Sequence, residues 1–225
     1  MKHLIKTILL VCIASAPALS LGHLQEQTTQ TQDSTESKKS KKKPLPLKPS
    51  REISFSTTES SWMSLDVSPD GNTIVFDLLG DLYTLPITGG KATPLTSGMA
   101  FDTHPRFSPD GKSVAYITDA SGSENLWIMT LEDTSKVQIS KGKTNMLQSA
   151  DWTPDGDYLV TSKGGVRSLG LPKLWIFHRE GGVGLKLVDE PERLKTVEPA
   201  VSPDGKLIWF SPVSYTHLTL PTIQL

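Results

Sequence analysis

Between residues 53 and 210 the chain is built from short runs in which apolar and polar residues alternate. Met63, Leu65 and Val67 fall at every second position, followed by the β-prone runs Thr73-Ile74-Val75-Phe76 and Leu82-Tyr83-Thr84-Leu85. A period of two marks a strand with one buried face, and short apolar runs bounded by Gly, Pro and Asp mark strands rather than helices. Ala92 to Leu95 completes a group of four, with Pro94 suited to a sheet edge.

The group then returns. Pro105-Arg106-Phe107, Ser113 to Ile117, Asn125 to Met129 and Lys136 to Ile139 form a second set. Ala150 to Trp152, Tyr158 to Thr161, Lys173 to Phe177 and Leu185 to Val188 form a third, with an insertion from Lys163 to Pro172. Pro199-Ala200-Val201 and Leu207 to Phe210 begin a fourth, which breaks off there.

One tetrapeptide joins the first and second runs of every set: Ser68-Pro69-Asp70-Gly71, Ser108-Pro109-Asp110-Gly111, Thr153-Pro154-Asp155-Gly156 and Ser202-Pro203-Asp204-Gly205. Successive copies start 40, 45 and 49 residues apart. Pro presets φ for a tight turn, Asp bonds to the local backbone, and Gly takes the left-handed conformation that closes it. A repeat of about 40 residues with strand-like flanks marks β-propeller blades. The predicted fold is therefore all-β: an incomplete propeller of four-stranded antiparallel blades over residues 52–212, with about three and a half blades present. Ile53 and Phe55 suggest a further strand from Glu52 to Thr57, which in a closed ring would edge the last blade. The third strands align on Leu82-Tyr83, Leu126-Trp127 and Leu174-Trp175, where an aromatic serves the packing of blade on blade. An open run of blades leaves one face uncovered and prone to association.

Upstream the composition changes. Residues 1–20 have the three parts of a secretory signal: Lys2 and Lys6, the apolar run Ile8 to Ala14, and small residues at Ala16-Pro17-Ala18 or Ala18-Leu19-Ser20. The run is too short to span a membrane, and Val11 before Cys12 does not fit a lipoprotein signal. Residues 21–51 are rich in Lys, Gln, Thr and Ser and include the run Lys38 to Lys43, a composition expected of a disordered, solvated linker. The expected location is periplasmic or secreted. A net charge of -1 gives no general attraction to nucleic acid or anionic lipid.

Candidate chemistry is sparse. Cys12 is the only cysteine, so no disulfide framework or cysteine metal site is expected. The histidines are His3, His23, His104, His178 and His217, with no His-x-His pair, and no Gly-x-Ser-x-Gly elbow occurs. The turn aspartates recur one per blade and read as structural. No catalytic, cofactor-binding or metal-ligating residue is assigned. The candidate site residues are the sixteen of the four turns, in a structural role.

The Ser-Pro-Asp-Gly blades resemble the TolB-like (PD40, WD40-like) propeller repeat of secreted and periplasmic bacterial proteins. Ser61 to Gly71, Ile74 to Tyr83, Pro86 to Gly90, Leu95 to Gly98 and Arg167 to Gly170 resemble the N-terminal propeller of large exported amidohydrolases. That resemblance implies a non-catalytic scaffold or a substrate- or partner-binding module. The metal-dependent hydrolase domain, with its divalent metal, would lie downstream. The alternatives are a periplasmic TolB-like protein-binding propeller and the propeller of a prolyl-oligopeptidase-like serine peptidase. The implied partners are a protein or peptide on the propeller face and the downstream domain, with no nucleic acid and no transmembrane segment. Residues 213–225 stand apart: Val213 to Thr222 resembles one translated frame of a transposase-type sequencing adapter, which would place the natural sequence's departure near Pro212.

Overall fold

A computed structural model describes residues 53–61, 63–165, 171–189, 194–213 and 222–224. The signal segment, all of the linker, Trp62, Arg167–Gly170 and His217 lie outside the described residues. The chain divides into two units, Met1–Ser54 and Phe55–Leu225. Of the first, only Ile53 and Ser54 are described, and neither is in a strand.

The second unit is four antiparallel sheets in chain order, with no helix among the described residues. Blade 1 is β1 (Leu65–Val67), β2 (Thr73–Leu78), β3 (Asp81–Pro86) and β4 (Thr93–Pro94). Blade 2 is β5 (Asp102–Phe107), β6 (Ser113–Thr118), β7 (Asn125–Thr130) and β8 (Lys136–Gln138). Blade 3 is β9 (Asn145–Trp152), β10 (Tyr158–Gly165), β11 (Lys173–His178) and β12 (Leu185–Lys186). Blade 4 is β13 (Lys195–Val201), β14 (Leu207–Val213) and β15 (Thr222–Gln224). Each sheet is a meander in which consecutive strands pair, the arrangement of propeller blades.

Three expectations are corrected. Residues 53–57 form no strand, and Ile53 and Phe55 are 65% and 63% exposed; alternation supplies a face, but a strand also needs a pairing edge. The insertion of blade 3 is shorter than its sequence suggests. Lys163, Gly164 and Gly165 extend β10 and pair with Leu147, Met146 and Asn145. The fourth blade does not stop after Phe210, because β14 runs on to Val213 and β15 pairs with it through Leu207–Gln224 and Ile208–Ile223.

Burial follows the period-two pattern. In β2, Val75 and Asp77 face blade 2 and are buried, while Ile74, Phe76 and Leu78 face away and are half-buried. Val75 packs with Phe107 and Val114, and Leu82 with Tyr116 and Met129, across the first junction. Ala115, Ile117, Leu126 and Ile128 meet Trp152, Leu159 and Phe177 across the second. Val160 and Leu174 meet Ile208 and Phe210 across the third. The core is thus a series of layers between sheets, each worth about 25 cal/mol per Å² of apolar surface removed from water. The aligned aromatics divide accordingly. Trp127 and Trp175 pack into the first and second junctions, whereas Tyr83 stacks on Phe76 at 5.7 Å on the outer face of blade 1.

Polar clips supplement the apolar layers. Asp66 accepts the Phe107 N–H at 2.8 Å, and Asp151 accepts the Val201 N–H at 2.7 Å, each reaching into the next blade. At the middle junction Arg106 stands in the aspartate's place, and its carbonyl accepts the Trp152 indole N–H at 3.2 Å.

Candidate functional site

The four tetrapeptides lie between the first and second strands of their blades, on one face of the molecule. In each, the glycine N–H donates to the carbonyl of the first turn residue at 2.8 Å, and the glycine φ lies between 68° and 75°. The sequence account of these turns omits the hydroxyl. Ser68, Ser108, Thr153 and Ser202 each accept the N–H five residues on, at 2.9–3.0 Å, and donate to the aspartate carboxylate at 2.5–2.6 Å. That carboxylate also accepts an N–H two residues on, at 3.0–3.1 Å. These bonds, the hydroxyl's first, hold Asp70, Asp110, Asp155 and Asp204 below the usual carboxylate value. The carboxylates are therefore occupied in closing their own turns.

Successive turns also touch. A β-carbon on Gly111, Gly156 or Gly205 would lie 3.5–3.7 Å from the ring Cδ of Pro69, Pro109 or Pro154 in the preceding blade. Beside them, Arg179 donates to the Gly156 carbonyl at 3.3 Å and lies 5.7 Å from the Trp152 ring. The groove between the second and third turns is small, about 250 Å³.

The more open feature lies along the first strands. A cavity of about 650 Å³ is lined by Ser64 of blade 1, His104 and Arg106 of blade 2, Leu147, Gln148 and Ser149 of blade 3, and Glu198, Pro199 and Ala200 of blade 4. Three of these strands bulge there. His104-Pro105 opposes Tyr116, Gln148-Ser149 opposes Ser162, and Glu198-Pro199 opposes Phe210, two residues against one each time. His104 and Glu198 sit in the left-handed region at φ 54° and 55°, an uncommon conformation for such residues. The proline after each cannot donate to the ladder, which fits it to the bulge.

Asp77 anchors one side of the cavity. Its buried carboxylate accepts the Ser64 N–H at 3.0 Å and the His104 N–H at 2.9 Å, tying blade 1 to blade 2. Burial pushes the His104 imidazole below its ordinary value and so favours the neutral ring, against the opposing pull of the Asp77 charge. Its Nδ1 and the Ser149 hydroxyl are buried without hydrogen-bond partners. Arg106 uses one nitrogen on the Leu65 carbonyl at 2.9 Å and the Pro105 carbonyl at 3.3 Å. Glu198 accepts from Ser211 at 3.0 Å. The walls thus offer a neutral imidazole, a guanidinium, an amide, a hydroxyl and a carboxylate, a mixture suited to binding a ligand with both donors and acceptors.

His178 has a local role: its Nδ1 accepts the Glu180 N–H at 3.3 Å and the ring lies edge-on to Tyr158. Among the described residues no group of three His, Cys, Asp or Glu side chains could hold a metal ion. The residues described here therefore do not fit the divalent ion expected of a downstream domain.

The family model for the TolB beta propeller domain (PD40) matches residues 34–224. The chain belongs to the TolB β-propeller family. Among curated relatives of this propeller, Tricorn protease homolog 1 of Streptomyces coelicolor is 29% identical over 101 residues, covering 45% of this chain and 10% of the relative. Dipeptidyl-peptidase 5 of Porphyromonas gingivalis is 28% identical over 116 residues, covering 43% and 17%. Of solved structures, TolB from Acinetobacter baumannii superposes with a TM-score of 0.60 at 22% identity, over 72% of this chain and 40% of that one. The TolB propeller described here thus spans 10%, 17% and 40% of the length of these three proteins. No helix among the described residues is long and apolar enough to cross a membrane.

The bulged cavity is the part of the site that the sequence analysis missed. A signal for it was available: Pro105 and Pro199 both stand three residues before the turn serine, each after a polar residue.

Proposed function

We propose that this chain is the non-catalytic, ligand- or partner-binding propeller of a larger exported hydrolase. The observation that carries the reading is the cavity formed by Ser64, His104, Arg106, Gln148, Ser149 and Glu198, whose first strands bulge where they line it. Its donors and acceptors suit an extended peptide or a similar amide-bearing chain, and neither a nucleophile–base pair nor a metal cluster accompanies them among the described residues.

For the parent enzyme, the resemblance over Ser61 to Tyr83 supports a metal-dependent amidohydrolase acting on C–N bonds, with its divalent metal in a downstream domain. The peptidase relatives support a second reading, the propeller of a serine peptidase. A free-standing TolB-like protein-binding propeller is the third. Export to the periplasm or beyond follows from residues 1–20, and residues 213–225 are read as translated adapter. The backbone pairing of β15 suits either origin of that segment, since ladder bonds require no particular side chain.

Genomic sequence past codon 212 separates these readings. A His-x-His pair downstream supports the first, a Gly-x-Ser-x-Gly the second, and a stop after the closing blade the third. An unbroken genomic match through Leu225 removes the adapter reading. Binding is tested by calorimetry against a library of short peptides. His104→Ala or Gln148→Ala is expected to weaken any hit about tenfold, the loss of roughly one hydrogen bond. Hits indifferent to both substitutions would refute the cavity as the site.

A further inference from the structure

The first strands line the cavity in two layers. Four positions before the first residue of each turn stand Ser64, His104, Ser149 and Glu198, and two positions before it stand Asp66, Arg106, Asp151 and Ala200. All of the first layer lines the cavity, joined by Arg106 and Ala200 of the second. These lining groups come from four blades, so they face a shared space and not the outer face of an end blade.

The layers differ in charge. In the second, Arg106 and Asp66 both act on the Asp151 carboxylate, so one guanidinium stands between two acids. The first layer has no cation, since its imidazole is neutral and Glu198 is an acid. Behind it, Asp77 and Glu124 accept the N–H groups of His104 and Leu147 and pull on the same imidazole. Lys186 and Lys206 pair with Asp189 and Asp204, but among the described residues Asp66, Asp77, Glu124, Asp151 and Glu198 form no ion pair. Lys195 lies at the opening of β13, outside both layers. A cleft with an excess of one charge concentrates ligands of the other.

Unfilled acceptors point the same way. Ser149 is 9% exposed, and its hydroxyl has no hydrogen-bond partner. The His104 Nδ1 is likewise buried and unpartnered, and a neutral ring protonated at Nε2 offers that nitrogen as an acceptor. Buried polar atoms of this kind call for a partner. The Gln148 carbonyl and the Glu198 carboxylate add further acceptors beside them. The layer therefore lacks donors and positive charge.

We propose that the layer of Ser64, His104, Ser149 and Glu198 binds the cationic side chain of a peptide, a lysine ammonium or an arginine guanidinium. The assignment rests on the reading of this cavity as a ligand site and names the group that the site selects. The cation donates to the Ser149 hydroxyl, the His104 Nδ1 and the Glu198 carboxylate, the last a charge-assisted bond of the stronger kind.

The test is calorimetry of the whole chain against short peptides, acetylated and amidated at their ends, whose central residue is Arg, citrulline, Lys, norleucine or Glu. The Arg and Lys peptides are expected to bind about tenfold or more tighter than their neutral isosteres, with the Glu peptides weakest. Glu198→Gln is expected to weaken the Arg peptides about tenfold and to leave the citrulline peptides unchanged. Ser149→Ala is expected to weaken the basic peptides while its melting temperature stays level or rises, because the hydroxyl it removes has no partner to lose. Far-UV circular dichroism checks the fold. Glu198→Asn, which suits the left-handed backbone there, serves where Glu198→Gln is unfolded. Neutral or acidic peptides that bind as tightly as basic ones overturn this proposal and leave the ligand-site reading standing, as does a preference for Arg that survives Glu198→Gln. Binding that appears only when the amino terminus is left free assigns the layer to a terminal amine and overturns the side-chain proposal. Failure of every peptide to bind overturns both.

Discussion

Ser108 is the residue on which the turn account can be tested most directly. Its side chain is 0% exposed, accepts the Ser113 N–H at 2.9 Å and donates to Asp110 at 2.6 Å. Ser108→Ala removes the acceptor of an N–H that belongs to a buried residue, which costs about 1–3 kcal/mol. The bond to Asp110 adds only tenths of that, since the carboxylate is largely solvated. A loss of about 2 kcal/mol in a domain of this size lowers the melting temperature by roughly 4–8 °C. Ser108→Thr keeps both bonds, and Thr153 already fills the equivalent place in blade 3, so it is expected to remain within about 2 °C of wild type. Thermal unfolding followed by circular dichroism reads all three proteins. An alanine variant as stable as the parent, or a threonine variant as damaged as the alanine, would refute the hydroxyl relay.

Three further outcomes are expected. Leu79 sits at φ 54° before Gly80 at φ 89°, in a two-residue turn between β2 and β3, and is 77% exposed; Leu79→Asn gives that turn its preferred Asn-Gly pair and should raise stability by about 0.5–1 kcal/mol in urea unfolding. The folded-state pKa values of the turn aspartates lie below 3.8, so their stabilisation is complete above that value and is lost as pH falls through the lowered values. Melting temperature should therefore fall steeply only below about pH 4, and a Ser68→Ala, Ser108→Ala double variant, in which two carboxylates return toward their unfolded value, should start less stable and lose less over that fall. Asp151→Ala removes the clip to the Val201 N–H and is expected to speed hydrogen exchange in β13 and β14 while sparing β5 to β7; uniform loss of protection would contradict the view of blades as separable layers.

Much of this fold could be read from the chain because each blade is a local meander. The period-two pattern places Val75, Ala115 and Val160 on buried faces, and the turns fix where each strand begins. What could not be read depends on partners distant in sequence. Ile53 and Phe55 have a strand's alternation but no edge to pair with, and Lys163 to Gly165 look like a loop until β9 is seen beside them. The cavity was hidden for the same reason. A bulge is a two-against-one count between strands, and His104 and Glu198 become neighbours of one space only when blades 2 and 4 are arranged around it.

The contact of proline on glycine between successive turns bears on how such a chain can change over generations. Each blade brings both a plug and a socket, in residues that every copy of the repeat already carries. A blade gained or lost by unequal recombination would meet its new neighbours with the same plug and the same socket, and no compensating substitution would be needed there. The cavity is different, because His104, Gln148 and Glu198 occupy equivalent bulges with dissimilar side chains. Blade number can therefore drift with little harm to the scaffold, while each such event rewrites the set of groups that a ligand meets.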